Sequence, residues 1–335
     1  MVGLRNRAFD HRLLRTEHVD VPVISIGNIS VGGTGKTPLV EHLAAHLLGI
    51  GRRPAVVTRG YRRATKGNFI VSDGRGHVAS ARQGGDEAVQ IAQKLPGLVV
   101  IADEKRIRGC RLAAEQFSAD IILLDDAFQH RNMHRDVDIV VVDATENLDS
   151  REMLPAGRLR EPLASLRRAD AIVLSKCRPA TPVAAMKKTL VTYSDAPVFA
   201  ARFVPRRIRR LGAKESLPLE TLRGLPLGGF CGIGRPEGFR RTLDELQANI
   251  VTMRDYPDHH WYTAADITEL QRQGGDAGAL GWITTEKDAV RLRDDNAWKS
   301  LGEVYYPEME VEFVGDSVGL FILLANASAR GAHVR

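Results

Sequence analysis

The sequence has little cysteine, no long apolar run and no internal repeat. Its three cysteines, Cys110, Cys177 and Cys231, are widely separated in 335 residues and form no CxxC pair. That spacing excludes a disulfide framework and a paired-cysteine zinc site, and it fits a reducing, cytoplasmic location. No stretch approaches the roughly 20 apolar residues needed to cross a bilayer; the strongest, 318–325, meets Asn326 at once. The N-terminus, MVGLRNRAFDHRLLR, carries arginines but no continuous apolar segment, which excludes a secretory signal. Leu4, Phe9, Leu13 and Leu14 are spaced as a short amphipathic helix able to dock on protein or on lipid.

The formal charge is +6 and the hydrophobic content 44%, enough for globular cores and favourable to anionic partners such as nucleotides, nucleic acid or an acidic membrane surface. The densest basic stretch, 202–210 (RFVPRRIRR), has no interleaved aromatics, and no helix-turn-helix or zinc-finger spacing accompanies it. It reads as a solvated basic face, and no nucleic-acid partner is expected.

Short β-branched runs at 21–26, 55–58, 98–101, 121–124, 137–142 and 171–174 alternate with helical stretches, the rhythm of a parallel sheet with helices on its faces. The rhythm changes after about residue 195. Runs at 198–203, 228–233 and 304–314 then stand among helical stretches at 239–247 and 263–273. The expected fold is therefore α/β, a mostly parallel sheet flanked by helices over 1–195, followed by a smaller α+β domain over 196–335.

In such sheets ligands sit at the carboxyl ends of strands, and those ends carry the polar motifs GNISVGGTGKT, TRGYRR, DDAFQH and the SKC turn. The first reads as a phosphate-binding loop of the P-loop NTPase kind. Gly32, Gly33 and Gly35 let successive N–H groups of the turn, Thr34 among them, face phosphate oxygens at a helix start. Lys36 would reach the β and γ phosphates and the Thr37 hydroxyl would hold Mg2+. Ser30 stands where the usual pattern has its first glycine, and Val31 where dimerising switch ATPases carry a second lysine.

Asp125 and Asp126 end the run IILL, where a second acidic motif holds Mg2+ directly or through water; Gln129 and His130 follow within reach of the same site. Asp86-Glu87 stands at a helix start, where capping competes with catalysis. Arg59, Tyr61, Arg62, Arg63, Lys105 and Arg106 follow strands that end near the loop and could bring cations to phosphates. In DYPDHHWY, the adjacent His259 and His260 point in different directions, so ligation of one metal by both is not expected. Thr285 and Asp288 fit a capping box, which leaves Lys287 in a first helical turn, where a cation opposes the dipole unless an anion is near.

Together VPVISIGNISVGGTGKTP, TRGYRR, GGDEA, LLDDAFQH, LPAGRLREP, GGFCGIGRPEGF, YPDHHWY and TTEKDAV resemble the tetraacyldisaccharide 4'-kinase family. The resemblance implies MgATP-dependent phosphorylation of the 4'-hydroxyl of a tetraacylated glucosamine disaccharide, a lipid A precursor, by an enzyme peripheral to the cytoplasmic face of the inner membrane, with no obligate protein partner. It implies a catalytic pair in which Asp86 accepts the hydroxyl proton and His259 orients or tunes it, the two domains closing over the substrate. It makes Thr34, Lys36 and Thr37 loop ligands. Asp125, Asp126, Gln129 and Glu161 become candidates for Mg2+ or water, and Glu87, Arg106, His130, Arg160 and Lys287 supporting contacts. Family members begin with a longer amphipathic N-terminal segment; the reading here is either a late start or reliance on Phe9, Leu13, Leu14 and the neighbouring arginines to bind anionic lipid. Two other readings share the loop: a nucleotide switch that hydrolyses ATP or GTP to control a partner protein, against which Val31 counts, and a kinase of a small soluble acceptor.

Overall fold

The computed structural model describes residues 2–146 and 152–330. Thirteen strands form one sheet: β1 Val23–Asn28, β2 Pro54–Thr58, β3 Phe69–Asp73, β4 Val99–Ala102, β5 Ile121–Asp125, β6 Val137–Asp143, β7 Ala171–Ser175, β8 Val198–Arg210, β9 Ser216–Leu217, β10 Pro226–Cys231, β11 Asn249–Asp255, β12 Gly281–Ile283 and β13 Val304–Val314. Their order is β11-β10-β12-β13-β8-β7-β6-β1-β5-β2-β4-β3, with β9 on β8. The helices are α1 Val2–Asp10, α2 Lys36–Gly49, α3 Ala81–Gly84, α4 Asp86–Lys94, α5 Arg106–Phe117, α6 Val183–Leu190, α7 Pro236–Glu245, α8 Ala264–Ala277, α9 Glu286–Leu292 and α10 Val318–Arg330.

The uninterrupted apolar runs became the central strands because such runs suit strands covered on both faces: every residue of β1, β2, β5, β6 and β7 is buried. The edge strand β3, FIVSD, is mostly half-buried and has only three consecutive apolar residues, a shorter run than those of β5, β6 and β7. Parallel register sets Ile26 of β1 beside Asp125 of β5 and Asn28 beside Val141 of β6. The turn after β1 thus opens between two acidic strand ends. Helix α2 begins at Lys36, two residues before Pro38, and buries Leu39, Val40, Leu43, Ala44 and Leu47.

How the two halves face each other follows from the ribbon made by β8 and β13. Strand β7 pairs in parallel with the start of β8, at 198–200. Strand β12 pairs in parallel with the start of β13, which lies antiparallel to the end of β8, Tyr305 opposite Arg210. Strands β10 to β12 therefore point back at the N-terminal strands, and the carboxyl-end loops of the two halves converge. Core packing also crosses between them: Val290, Val311, Leu320, Leu324 and Ala327 belong to the same apolar cluster as Ile24, Leu39 and Leu43.

The basic stretch lies on this ribbon, and its arginines face a matching acidic strand. Arg202 pairs with Glu312, Arg206 with Glu310 and Glu312, Arg209 with Glu308 and Arg210 with Glu303. Cross-strand pairs of opposite charge stabilise a two-stranded ribbon and leave less free positive charge than the sequence alone suggests. At the N-terminus, α1 docks on protein: Asn6 is buried and Phe9 lies under Arg131 at 5.2 Å. Leu13 and Leu14 fall beyond its end and are exposed, Leu13 to 76%. No helix among the described residues is long and apolar enough to cross a membrane.

Candidate active site

The turn after β1 is braced from three sides. Asn28 donates through Nδ2 to the Thr34 hydroxyl at 3.0 Å, and the amide of Gln129 donates to the Asn28 carbonyl at 2.9 Å. The segment 158–160 runs alongside, with the Val31 N–H on the Arg158 carbonyl and the Arg160 N–H on the Ile29 carbonyl. From β7, Ser175 donates to the Thr34 carbonyl and Lys176 to that of Gly33, at 2.7 and 2.5 Å. Gly35 sits at φ 87° against the ring of Phe203, where a Cβ would collide; no other residue type fits that left-handed position and that contact. The structure thus gathers Gly32, Gly33, Thr34, Gly35, Lys36 and Thr37 around one concave turn.

Lys36 pairs with Asp126 at 3.3 Å, and Arg160 takes the same carboxylate at 2.9 Å. Asp126 stands at φ 50°, a strained conformation for a residue with a side chain. Burial works against its ionisation, but the charges of Lys36 and Arg160 outweigh it and bring its pKa down to about 2. Asp125 differs. It is fully buried, its Oδ2 accepts from Thr58 at 3.2 Å, and its Oδ1 has no partner. Burial, then the negative charges of Glu87 and Asp126, push its pKa up, with Lys36 and Arg106 opposing.

An orphaned buried carboxylate oxygen near a threonine hydroxyl suits a hard cation. Among the described residues no group of three or more His, Cys, Asp or Glu is placed to hold a metal by itself. An ion here would therefore complete its shell with phosphate oxygens and water, as Mg2+ does.

The raised Asp125 pKa gives a signed expectation for the ligand-free protein. Between the ordinary carboxylate pKa and the raised one, the folded state holds a proton that the unfolded chain has released, so stability falls as pH rises through that window. Asp125→Asn is expected to melt higher than wild type at pH 8, with a smaller difference at pH 5, while phosphorylating more slowly. Thermal melts at the two pH values check this, and a variant less stable than wild type at pH 8 would refute it.

The other candidates fall as follows. Arg106 is buried, donating to the carbonyls of Asp103 and Asp125. His130 is kept neutral, its pKa brought down to about 4 by burial and then by the charge of Arg106. Arg63 does not serve the loop: it is spent on Glu104 at 2.7 Å and on the carbonyls of Ala102 and Gly67. Glu161 is wholly buried; its Oε2 accepts from Asn6 at 2.7 Å and from Arg168 at 2.9 Å, while its Oε1 has no partner.

The second cluster forms where the halves meet. Asp86 opens α4 without capping it; Gly85 is the N-cap, with no side-chain hydrogen bond. Only 4% exposed, Asp86 turns Oδ2 to the C-terminal half, 2.8 Å from Nδ1 of His259 and 2.6 Å from Nη1 of Arg291. Burial would raise its pKa, but the His259 hydrogen bond and the charges of Lys287, His259 and Arg291 hold it well below the usual carboxylate range. His260 turns instead to Asp266 at 3.0 Å, so the two imidazoles serve different carboxylates. Lys287 finds its anion in Glu87. Because Glu87 also acts on Asp125, it connects the two clusters.

Two contributors here are given no role by the sequence, although Arg235 lies within the motif GGFCGIGRPEGF and Arg291 directly follows TTEKDAV. Arg291 is visible in sequence only as an i, i+3 partner of Asp288, and Arg235 only as a residue in a glycine turn. Folding sends Arg235 across to Asp143 at 2.7 Å and to Glu146, beside the loop.

The family model for Tetraacyldisaccharide-1-P 4'-kinase (LpxK) matches residues 1–327. Tetraacyldisaccharide 4'-kinase of Anaeromyxobacter dehalogenans (strain 2CP-C) is 39% identical over 292 residues, 87% of this chain and 77% of that protein. The enzyme of the same name from Chlorobium phaeovibrioides is 41% identical over 303 residues, 90% of this chain and 85% of that protein. Among solved structures, LpxK from Aquifex aeolicus in complex with ATP superposes with a TM-score of 0.77 at 32% identity, covering 97% of this chain and 94% of that one. With a full-length family match and relatives of this identity carrying the same fold, the chain belongs to the tetraacyldisaccharide-1-P 4'-kinase family.

Proposed function

We propose that this protein transfers the γ-phosphate of ATP to the 4'-hydroxyl of a tetraacylated glucosamine disaccharide 1-phosphate. The observation that carries the reading is the convergence of a braced phosphate loop and a hydrogen-bonded Asp86–His259 couple, 173 residues apart in sequence, at facing loop edges joined through Glu87. The loop's N–H groups and Lys36 take the phosphates, and Lys36 leaves Asp126 to do so. Thr37 and Asp125 would hold Mg2+, with Asp126 placed to orient its water. The ion supplies neutralisation of the charge on the transferring phosphoryl group. The Asp86–His259 pair receives the acceptor's hydroxyl proton, and burial of the site excludes water as a competing acceptor.

The halves 1–195 and 196–335 act as two lobes that part to admit the acceptor and close on it, since Asp86 is almost wholly covered where they meet. Substrate of this class is lipid-borne. Exposed Leu13 and Leu14 beside the N-terminal arginines suit peripheral attachment to an anionic membrane surface at the cytoplasmic face of the inner membrane.

The test is direct. Incubation of the full chain with MgATP and tetraacyldisaccharide 1-phosphate is expected to give a 4'-phosphorylated product that requires both substrates. A folded preparation that binds ATP and yields none would overturn the reading. A switch protein would instead hydrolyse nucleotide without acceptor and dimerise on a nonhydrolysable ATP analogue.

A further inference from the structure

We infer that Arg291 is the positioning residue of the Asp86–His259 pair, and that it fixes the Asp86 carboxylate for His259 only when the two halves are together. The inference rests on the function proposed above. Arg291 lies on α9 and is 3% exposed. It spans both halves: Nη1 donates to Oδ2 of Asp86 at 2.6 Å, while Nη2 donates to the Gly232 carbonyl at 2.8 Å and to Asp288.

The groups that hold Arg291 are themselves held. Asp288 is wholly buried, and its Oδ1 also accepts from the Tyr262 hydroxyl at 2.6 Å and the Gly232 N–H at 3.0 Å. The Gly232 carbonyl accepts from the His259 N–H at 3.1 Å as well. One backbone unit therefore sets both the guanidinium and the loop that carries the imidazole. A Cβ on Gly232 would stand 3.0 Å from that of His260 and 3.1 Å from Oδ1 of Asp288, so a side chain there would fit only if these neighbours gave way. His259 is in the left-handed region at φ 59°, a conformation that persists only where its surroundings enforce it.

The consequence is chemical. Oδ2 of Asp86 receives Arg291 and the imidazole, and Oδ1 receives the Glu87 N–H at 2.9 Å. With the carboxylate anionic and so engaged, the proton of His259 is held on Nδ1, and Nε2 is left as the pair's free acceptor, next to Asp258 Oδ1 at 3.9 Å and under the ring of Tyr61. The charged groups facing Asp86 are His259, Arg291 and Lys287 from the C-terminal half and Glu87 from its own helix. All three positive or protonatable partners come from the far side of the junction. When the halves part, the carboxylate loses all of them together, and the pair is set only on closure.

Arg291→Met in the full chain tests this. The neutral side chain is expected to lower kcat on the order of 10²-fold while nucleotide affinity and the KM for ATP stay near wild type, because misplacement of a reacting group costs about that much. Without the guanidinium the pair holds its proton more tightly, so the acidic limb of the kcat/KM profile is expected to move up by about one pH unit. Arg291→Lys keeps the charge but cannot reach Asp86, Gly232 and Asp288 together. It is expected to lower kcat and leave the limb in place, and it carries the test alone if the methionine variant fails to fold. Wild-type kcat in Arg291→Lys, or an unmoved limb in a folded Arg291→Met, would overturn the inference. If wild type makes no product, the proposed function fails separately, and the NMR signal of the His259 Nδ1 proton on Asp86 still decides: it shifts or is lost in Arg291→Met if Arg291 sets the pair and is unchanged if it does not.

Discussion

Asp86→Asn is expected to lower kcat on the order of 10² or more while leaving nucleotide affinity near wild type. The substitution keeps shape and helix position, so the loop, the Lys36–Asp126 pair and the packing of α4 persist. What is lost is the negative charge that fixes the imidazole proton on Nδ1 of His259 and receives Arg291. General acid–base assistance is worth roughly 10²–10⁴ in rate, and a neutral amide supplies neither the charge nor a second strong acceptor. The pair is also structural, since removing one member of a buried ion pair commonly costs about 3–5 kcal/mol, although Asp288 still holds Arg291 and softens that penalty.

The sign with pH follows from the carboxylate's lowered pKa. Its contribution to stability is present above the ordinary carboxylate pKa and is lost as pH falls through the folded-state value. Acid titration of folding should therefore be less steep in Asp86→Asn than in wild type. Steady-state phosphorylation with nucleotide binding measured separately checks the kinetic claim, and near-normal turnover would remove Asp86 from the proton-handling pair.

Lys36→Met is the second large effect, again on the order of 10² or more in kcat/KM, but partitioned differently, with nucleotide affinity falling too. Lys36 opens α2 directly after the turn and is held 3.3 Å from Asp126. In the ligand-free protein it offsets charge on both aspartates, and with nucleotide bound it serves the phosphates. The variant leaves Asp126 with Arg160 alone and removes the positive charge acting most strongly on Asp125, so the pH window in which Asp125 lowers stability extends to higher pH. A variant that binds and transfers like wild type would show that the turn's backbone N–H groups suffice without the lysine.

Much of the nucleotide half was legible because its signals are local. Apolar runs of strand length, a glycine turn at Gly32, Gly33 and Gly35, and Asp125 at the end of IILL are all read within a few residues, and each appears where the fold uses it. The capping role of Thr285 was equally local and is present, its hydroxyl accepting from the Asp288 N–H at 3.2 Å. The failures have a common cause. Arg63 looked like a phosphate contact, yet it is consumed by Glu104, 41 residues along the chain. Lys287 looked like a cation in search of a ligand because Glu87, 200 residues away, is not visible from its helix.

Alone, then, the sequence determined the α/β class, the phosphate loop, the acidic strand end and, through eight ordered motifs, the family. These rest on local periodicity, turn chemistry and residue spacing, which act over a few residues and survive in one dimension. Only the tertiary structure decided that β8 and β13 turn the C-terminal strands back on the N-terminal ones, that Arg291 joins the Asp86–His259 pair, and that Gly232 ties Arg291 and His259 to Asp288. Such contacts depend on how a long antiparallel ribbon aims one set of loops at another. The burial that makes their charges matter exists only once the chain has closed on itself.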